Sequence, residues 1–194
     1  MRISCLLVVA TLTAPAPAQS GAAADDLRFA RGTHAWTLGA ALGVQHRIFN
    51  GTSDQKFALL QPRWSVNLTG RSGDGWKQGT LMLGIEAAAG RALSPRGNVM
   101  SLGPVLRYSF PSRRRVTPFV EAAGSFFWTN AEMPETPQRF AFTGAGGGGL
   151  SWKLGERDAF ELAWRFHHIS NAGFTEPNIG VNSSFVVIGF ARSF

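Results

Sequence analysis

Alternation of apolar and polar residues, repeated along the chain after residue 35, is the feature that most constrains its fold. In most of these segments every second residue is apolar and usually large, whereas the residues between them are small or polar. A period of two is that of a β-strand, whose successive side chains point to opposite faces. Eight such segments follow one another, separated by clusters of Gly, Pro, Asn, Asp or Arg. The sequence therefore predicts an all-β protein, an eight-stranded antiparallel transmembrane β-barrel, because segments of about ten residues suit a barrel strand.

The two faces of these segments predict which side chains point into the barrel. The apolar rows are expected to face lipid, and the alternate positions hold three acids and three bases. These six residues are Arg63, Glu86, Arg107, Glu121, Glu161 and Arg165. Since an unpaired buried charge is costly and an eight-stranded barrel is only wide enough for side chains to fill, we expect an internal ion-pair network rather than an open channel.

The first 18 residues have the pattern of a secretory signal peptide. Met1 and Arg2 precede an apolar run from Ile3 to Leu12, and small residues at 16–18 resemble a cleavage site. We therefore expect residues 1–18 to be removed and residues 19–194 to form a single barrel domain. The one cysteine, Cys5, falls in the predicted signal peptide, so no disulfide is expected in the mature domain.

An even number of strands places both ends of the domain on the same side, which we expect to be the periplasm. Short turns would then lie in the periplasm and longer connections outside the cell, as is usual for such barrels. The expected periplasmic turns are 70–75, 111–115 and 154–158, and the expected extracellular connections are 47–55, 90–98, 130–138 and 171–182.

The charge distribution narrows the class of expected partners. The formal net charge is +7, but the arginines are scattered or lie at strand ends, so anionic lipid headgroups are favoured over nucleic acid.

The sixth segment contains four consecutive glycines, 146–149. Glycine in a strand permits strong curvature or close approach of a ligand. Barrel curvature and a groove for an acyl chain are both consistent with this run.

The seventh segment carries the residues with catalytic potential. Its apolar row ends in His168 and Ser170, which continue the same parity and should therefore face lipid. Adjacent positions on one face of a strand are about 6.6 Å apart, which lets an imidazole lean towards the serine hydroxyl. A histidine that takes the proton of a serine creates a nucleophile able to attack an ester.

The residues around this pair give a more specific indication. His168-Ile169-Ser170-Asn171-Ala172-Gly173-Phe174, followed by Pro177-Asn178-Ile179-Gly180-Val181-Asn182, resembles the signature of the PagL-type lipid A 3-O-deacylases, the acyloxyacyl hydrolase-like outer-membrane family. The resemblance implies that His168 is the catalytic base and Ser170 the nucleophile. It further implies that Asn178 and the Gly173 backbone N–H stabilise the oxyanion, with Asn171 in a supporting role.

The third catalytic member departs from that family pattern. The resemblance places Asn182 where family members carry a glutamate. An amide oxygen can orient the imidazole, but it brings no charge to stabilise the imidazolium. Glu176, in the same connection, is the alternative acid.

The resemblance implies an outer-membrane serine esterase that removes the 3-position acyl chain of lipid A, with the active site towards the outer leaflet. No cofactor or metal is expected. The expected partners are lipopolysaccharide and the outer membrane, not nucleic acid, and a homodimer is left open. Two alternatives remain: a phospholipid esterase of the same mechanism, and a structural or adhesive barrel without activity.

Overall fold

Eight long strands and two short 3-10 helices make up the protein, in a computed structural model that describes residues 26–49, 51–110 and 115–194. The predicted signal peptide and part of the 111–115 turn lie outside the described residues. The strands are β1 (His34–His46), β2 (Lys56–Asn67), β3 (Thr80–Ser94), β4 (Arg96–Ser109), β5 (Val116–Thr129), β6 (Phe140–Lys153), β7 (Asp158–Ser170) and β8 (Val181–Ser193), and the 3-10 helices are Leu27–Phe29 and Gly75–Lys77.

The strands form one closed antiparallel barrel in which each pairs with its neighbours in the sequence and β8 pairs with β1. Closure gives every strand two partners, so no edge is left with unpaired backbone groups. The predicted fold is therefore confirmed. No helix in the described parts of the chain is long and apolar enough to span a membrane.

The alternation in the sequence corresponds to the two faces of the barrel wall. Large apolar side chains such as Leu42, Leu60 and Ile188 are exposed on the outer face, where lipid would contact them. The six charged residues point inward and are buried. Arg63 binds Glu86 and Glu121, Arg107 binds Glu121 and Glu161, and Arg165 binds Glu86 and Glu121, all at 2.5–3.1 Å. The expected ion-pair network is present.

The connections differ from the expectation at two places. β3 and β4 are joined through Pro95 alone, so the expected 90–98 connection is mostly strand. The β2–β3 connection, expected at 70–75, extends over 68–79 and contains a 3-10 helix. The expectation that the longer connections all lie at one end is therefore wrong. We call the end that holds connections 47–55, 130–139 and 171–180 the loop end, and the opposite end the terminal end.

The connection between β5 and β6 covers the barrel at the loop end. Met133 and Glu135 are buried, and Gln55 of the 47–55 connection donates a hydrogen bond to the Glu132 carbonyl at 2.9 Å. The Ile179 N–H donates to the Glu135 carbonyl at 3.0 Å. The three longer connections at this end thus contact one another rather than extending separately.

Candidate active site

His168 and Ser170 lie on the outer face of β7 at the loop end, as their parity predicted. His168 is exposed and Ser170 is half-buried. In the register of the sheet, His168 is paired with Gly144 of β6 and Asn182 of β8, and Ser170 is paired with Phe142. The strand pairing therefore surrounds the two residues with an amide on one side and an open glycine and aromatic surface on the other.

His168 is oriented by Asn182. Its Nδ1 lies 2.8 Å from the Asn182 Oδ1. Because an amide oxygen can only accept, the imidazole Nδ1 is the donor, which leaves Nε2 of the neutral ring as the basic nitrogen. Asn182 has outward parity but is only 3% exposed. Of the two candidates for the third member, Asn182 is the one that contacts His168.

Ser170 does not reach the histidine in this arrangement. Among the described residues, no hydrogen bond joins the Ser170 hydroxyl to His168, in contrast to the expected contact. The ring instead leans across the sheet towards β8, where Asn182 holds it. Serine–histidine contacts in catalytic sites often tighten only when substrate is bound. Ser170 and His168 are neighbours on one face, but their contact requires rotation of a side chain.

Asn171 organises the connection that follows β7. It is buried, and its Nδ2 donates to the Gln138 Oε1 and to the Thr175 carbonyl, both at 2.8 Å. Its Oδ1 accepts the Gly173 N–H at 2.9 Å. The Gly173 N–H, expected to stabilise an oxyanion, is therefore already engaged within the connection.

Asn178 is held close to Ser170 through a backbone contact. Its Oδ1 accepts the Asn171 N–H at 2.9 Å, which fixes the amide next to the residue that follows Ser170. With the oxygen so used, the Asn178 Nδ2 is the end of the amide available as a donor. Glu176 is exposed, and its Oε2 accepts the Asn178 N–H at 3.2 Å rather than contacting His168.

Gly180 is a contact of the site that the sequence analysis did not single out. Its φ is +82°, a conformation that favours glycine. A Cβ built on it would lie 2.6 Å from the His168 Cε1. A residue with a side chain would thus displace the imidazole. The available signal was the glycine in the Pro177–Asn182 motif, which had no role assigned.

The glycines of β6 divide into two groups by face. Gly147 and Gly149 point inward, where a Cβ would collide with the backbone carbonyls of Trp164 and Leu162. Gly144 and Gly146 point outward, where a Cβ would meet nothing within 4 Å, as is also true of Gly124 on β5. Gly148 has the same outward parity, but a Cβ there would lie 2.8 Å from the Phe119 carbonyl oxygen. Close backbone approach explains the inward pair, and Gly144 and Gly146 leave a shallow groove beside His168.

Aromatic side chains border this groove at the loop end. The Phe142 ring lies 5.6 Å from that of Phe126 and 6.1 Å from that of Phe174. Phe126 and Phe174 are among the most exposed aromatic residues of the barrel, and Phe142 is paired with Ser170. An apolar chain lying in the glycine groove would therefore pass these rings next to Ser170.

The described residues contain no group of three or more His, Cys, Asp or Glu that could hold a metal ion. The site consists of neutral hydrogen-bonding groups on an apolar outer surface. A closed barrel with lipid-facing apolar rows and such a site defines the class of the protein, an integral outer-membrane β-barrel.

Comparison with known proteins agrees with this class. The crystal structure of the outer membrane enzyme PagL matches with a TM-score of 0.59 and 20% identity, covering 79% of this chain and 97% of that chain. Neisserial surface protein A matches with a TM-score of 0.60 and 17% identity, covering 84% and 100%. The N-terminal barrel of Pseudomonas aeruginosa OprF matches with a TM-score of 0.52 and 14% identity, covering 84% and 100%. At these identities the structural matches show the fold alone.

A comparison with models of protein families shows the family to which the chain belongs. The family model described as lipid A 3-O-deacylase (PagL) matches residues 58–191, which include His168, Ser170, Asn182 and the connection between β7 and β8. The chain belongs to this family. A comparison with curated protein sequences finds no significant match.

Proposed function

We propose that this protein is an outer-membrane serine esterase that removes the ester-linked acyl chain at the 3 position of lipid A. The observation that carries the proposal is the hydrogen bond between His168 and Asn182 on the outer face, beside Ser170 and an open glycine groove. A polar group facing hydrocarbon is costly, so its presence there favours a functional role. Membership of the family supports lipid A as the substrate.

The proposed reaction begins at Ser170. Its hydroxyl rotates towards the His168 Nε2, gives up its proton and attacks the ester carbonyl, forming a tetrahedral intermediate. The Asn178 Nδ2 donates to the negative oxygen of that intermediate. When the intermediate collapses, His168 returns the proton to the departing sugar hydroxyl, and the acyl group remains on Ser170. Water, deprotonated by His168, then releases the fatty acid.

Asn182 makes this a weaker version of the usual triad. Its oxygen holds the imidazole in the tautomer that leaves Nε2 basic, as the amide does in Cys-His-Asn proteases. It adds no negative charge when the imidazolium forms, so we expect slow turnover. The 3-position acyl chain would lie along Gly144 and Gly146, with Phe142 beside the scissile ester.

Mass spectrometry of lipid A from cells that express the wild type or Ser170→Ala tests the proposal. We expect loss of the 3-position acyl chain with the wild type and full acylation with the variant. Ser184→Ala is the matched control, because Ser184 is an outward serine whose Oγ lies 2.7 Å from the His46 Nε2. The control should deacylate lipid A like the wild type. Equal acylation in wild type and Ser170→Ala, or loss of activity in the control alone, would sink the proposal.

A purified sample distinguishes the two alternatives. Incubation with phospholipid vesicles, with lipid A as the reference, shows whether a phospholipid esterase fits better. A serine-directed fluorophosphonate that labels wild type but not Ser170→Ala supports catalysis, whereas no labelling of folded protein supports a non-catalytic barrel.

A further inference from the structure

Glu135 is a buried carboxylate held by neutral donors in the connections at the loop end. It is 1% exposed. Its Oε1 accepts the backbone N–H groups of Thr52 and Ser53 at 2.7 and 2.6 Å and the Gln45 amide at 3.3 Å. Its Oε2 accepts the Ser53 hydroxyl at 2.6 Å. No cation among the described residues forms an ion pair with it, so these hydrogen bonds alone compensate its buried charge.

The main chain of the same residue holds the connection that leads into β8. The Glu135 carbonyl accepts the Ile179 N–H at 3.0 Å and the Gly180 N–H at 3.4 Å. The side chain therefore fixes residue 135 to the 47–55 connection, and the carbonyl fixes residues 179 and 180 to residue 135. Three separate parts of the chain meet at this single glutamate.

Gly180 transmits this attachment to the catalytic imidazole. A Cβ on Gly180 would lie 2.6 Å from the His168 Cε1 and 3.2 Å from its Nε2. The backbone of Gly180 is thus packed against the edge of the ring that carries the basic nitrogen. Asn182 holds the opposite nitrogen two residues further on. A shift of Gly180 would change the direction in which Nε2 points.

We propose that Glu135 is a positioning residue for His168, acting through its own carbonyl and Gly180. The inference rests on the proposed function and adds to it a residue that touches neither the substrate nor the reacting atoms. Replacing the carboxylate with an amide would remove the charge and one of the two acceptor oxygens, which would weaken the attachment of residue 135 to Thr52 and Ser53 and let the 179–180 segment move. The imidazole would then lose the backbone contact that limits the direction in which its Nε2 can point.

Glu135→Gln in the full-length protein tests this role, with Glu132→Gln as the matched control. Glu132 is an exposed acid in the same connection, so both variants remove one charge from one segment. Folding is checked by the mobility of unheated protein in SDS gels. We expect Glu135→Gln to lower kcat about 10-fold with KM unchanged, because a small displacement of a catalytic group lowers the rate by this order or more, and Glu132→Gln to have no effect. Glu135→Asp, which keeps the charge, should restore part of kcat.

A spectroscopic readout separates positioning from general stability. The ring proton resonance of His168, assigned by comparison with His168→Ala, should shift in Glu135→Gln and stay in place in Glu132→Gln. If Glu135→Gln does not fold, Ser53→Ala, which removes one of the hydrogen bonds and no charge, should show the same shift and a smaller fall in kcat. Wild-type kcat or an unmoved His168 resonance in the folded variant overturns the proposal. A wild type that leaves lipid A intact refutes the proposed function, and the resonance still decides the role of Glu135.

Discussion

The lumen and the outer face at the loop end use polar groups in opposite ways. In the lumen each of three arginines contacts two glutamates, so the charges form a closed network. On the outer face the groups are neutral and their hydrogen bonding is incomplete: the Asn182 Nδ2 is buried without a partner among the described residues. The Ser170 hydroxyl also has no partner there. The same barrel wall thus carries paired charges on its inner face, which stabilise the fold, and on its outer face a serine hydroxyl that is free to contact a substrate.

Breaking the lumen network should have the largest effect. Glu121 accepts hydrogen bonds from Arg63, Arg107 and Arg165. Glu121→Gln leaves buried guanidinium charge uncompensated, and we expect the free energy of unfolding to fall by about 3–5 kcal/mol. Urea unfolding in lipid vesicles measures it. Asp54→Asn, which breaks an exposed 3.9 Å pair with Lys56, should cost at most about 1 kcal/mol. Equal losses in the two variants would contradict the distinction between lumen and surface charges.

Adding a charge to the outer site should raise activity. Asn182→Glu puts a carboxylate against the His168 Nδ1, where it would stabilise the imidazolium that forms during catalysis. We expect kcat for lipid A to rise about 10-fold, the scale on which outer-shell partners act. Glu176→Gln serves as the control and should leave kcat unchanged, since that side chain does not contact the histidine. A fall in kcat after Asn182→Glu would show that the neutral amide is required.

Filling the outward groove should change substrate choice and leave the nucleophile intact. Gly144→Leu places a side chain where the structure has open space, so long acyl chains would lose their path. We expect kcat/KM for a long-chain ester to fall about 10-fold relative to a short-chain ester, with unchanged fluorophosphonate labelling of Ser170. Ala40→Leu, an outward substitution on β1, is the control. If both variants behave alike, the groove does not hold the acyl chain.

The smallest expected effect is on how the stability of the fold depends on pH. Burial raises the pKa of Glu135, but the hydrogen bonds from Ser53 and Thr52 outweigh it and hold that pKa below its ordinary value of 4.5. A depressed pKa stabilises the fold above the unfolded value, and the stabilisation disappears as pH falls through the folded one. The difference in melting temperature between wild type and Glu135→Gln should therefore shrink as pH drops below 4.5. A difference that grows in acid would show that the carboxylate is not ionised.

The strands could be predicted because the polarity of each residue in a barrel wall indicates whether it faces lipid or the lumen. Apolar alternation marks the part of a strand that meets lipid, and there the prediction is confirmed. Beyond the lipid a strand no longer needs an apolar face, so the pattern ends before the strand does. β3 continues past Gly90 to Ser94, where Arg91 donates to the Asn98 Oδ1 of β4 at 2.8 Å. The expected connection at 90–98 was wrong because the apolar alternation ends before the strand does.

The face and register of the site residues could likewise be inferred, whereas their neighbours could not. Parity placed His168, Ser170 and Asn182 on the outer face, although their catalytic roles stay predictions. The contacts of Glu135 depend on how two connections fold over the barrel, and Gln45 is 90 residues away from it in sequence. Period-two alternation says nothing about such contacts.

The site can be complete only after the last strand, β8, has paired with the first strand, β1. His34 and Phe194 exchange backbone hydrogen bonds at 3.1 and 2.9 Å, so the wall is completed only by the final residues of the chain. Asn182 lies at the start of this last strand. The hydrogen bonds of Glu135 also require the chain near Gln45 to lie beside it. A partly built barrel would therefore lack the contact that orients His168. Under the proposed function, hydrolysis would begin only once the barrel has closed.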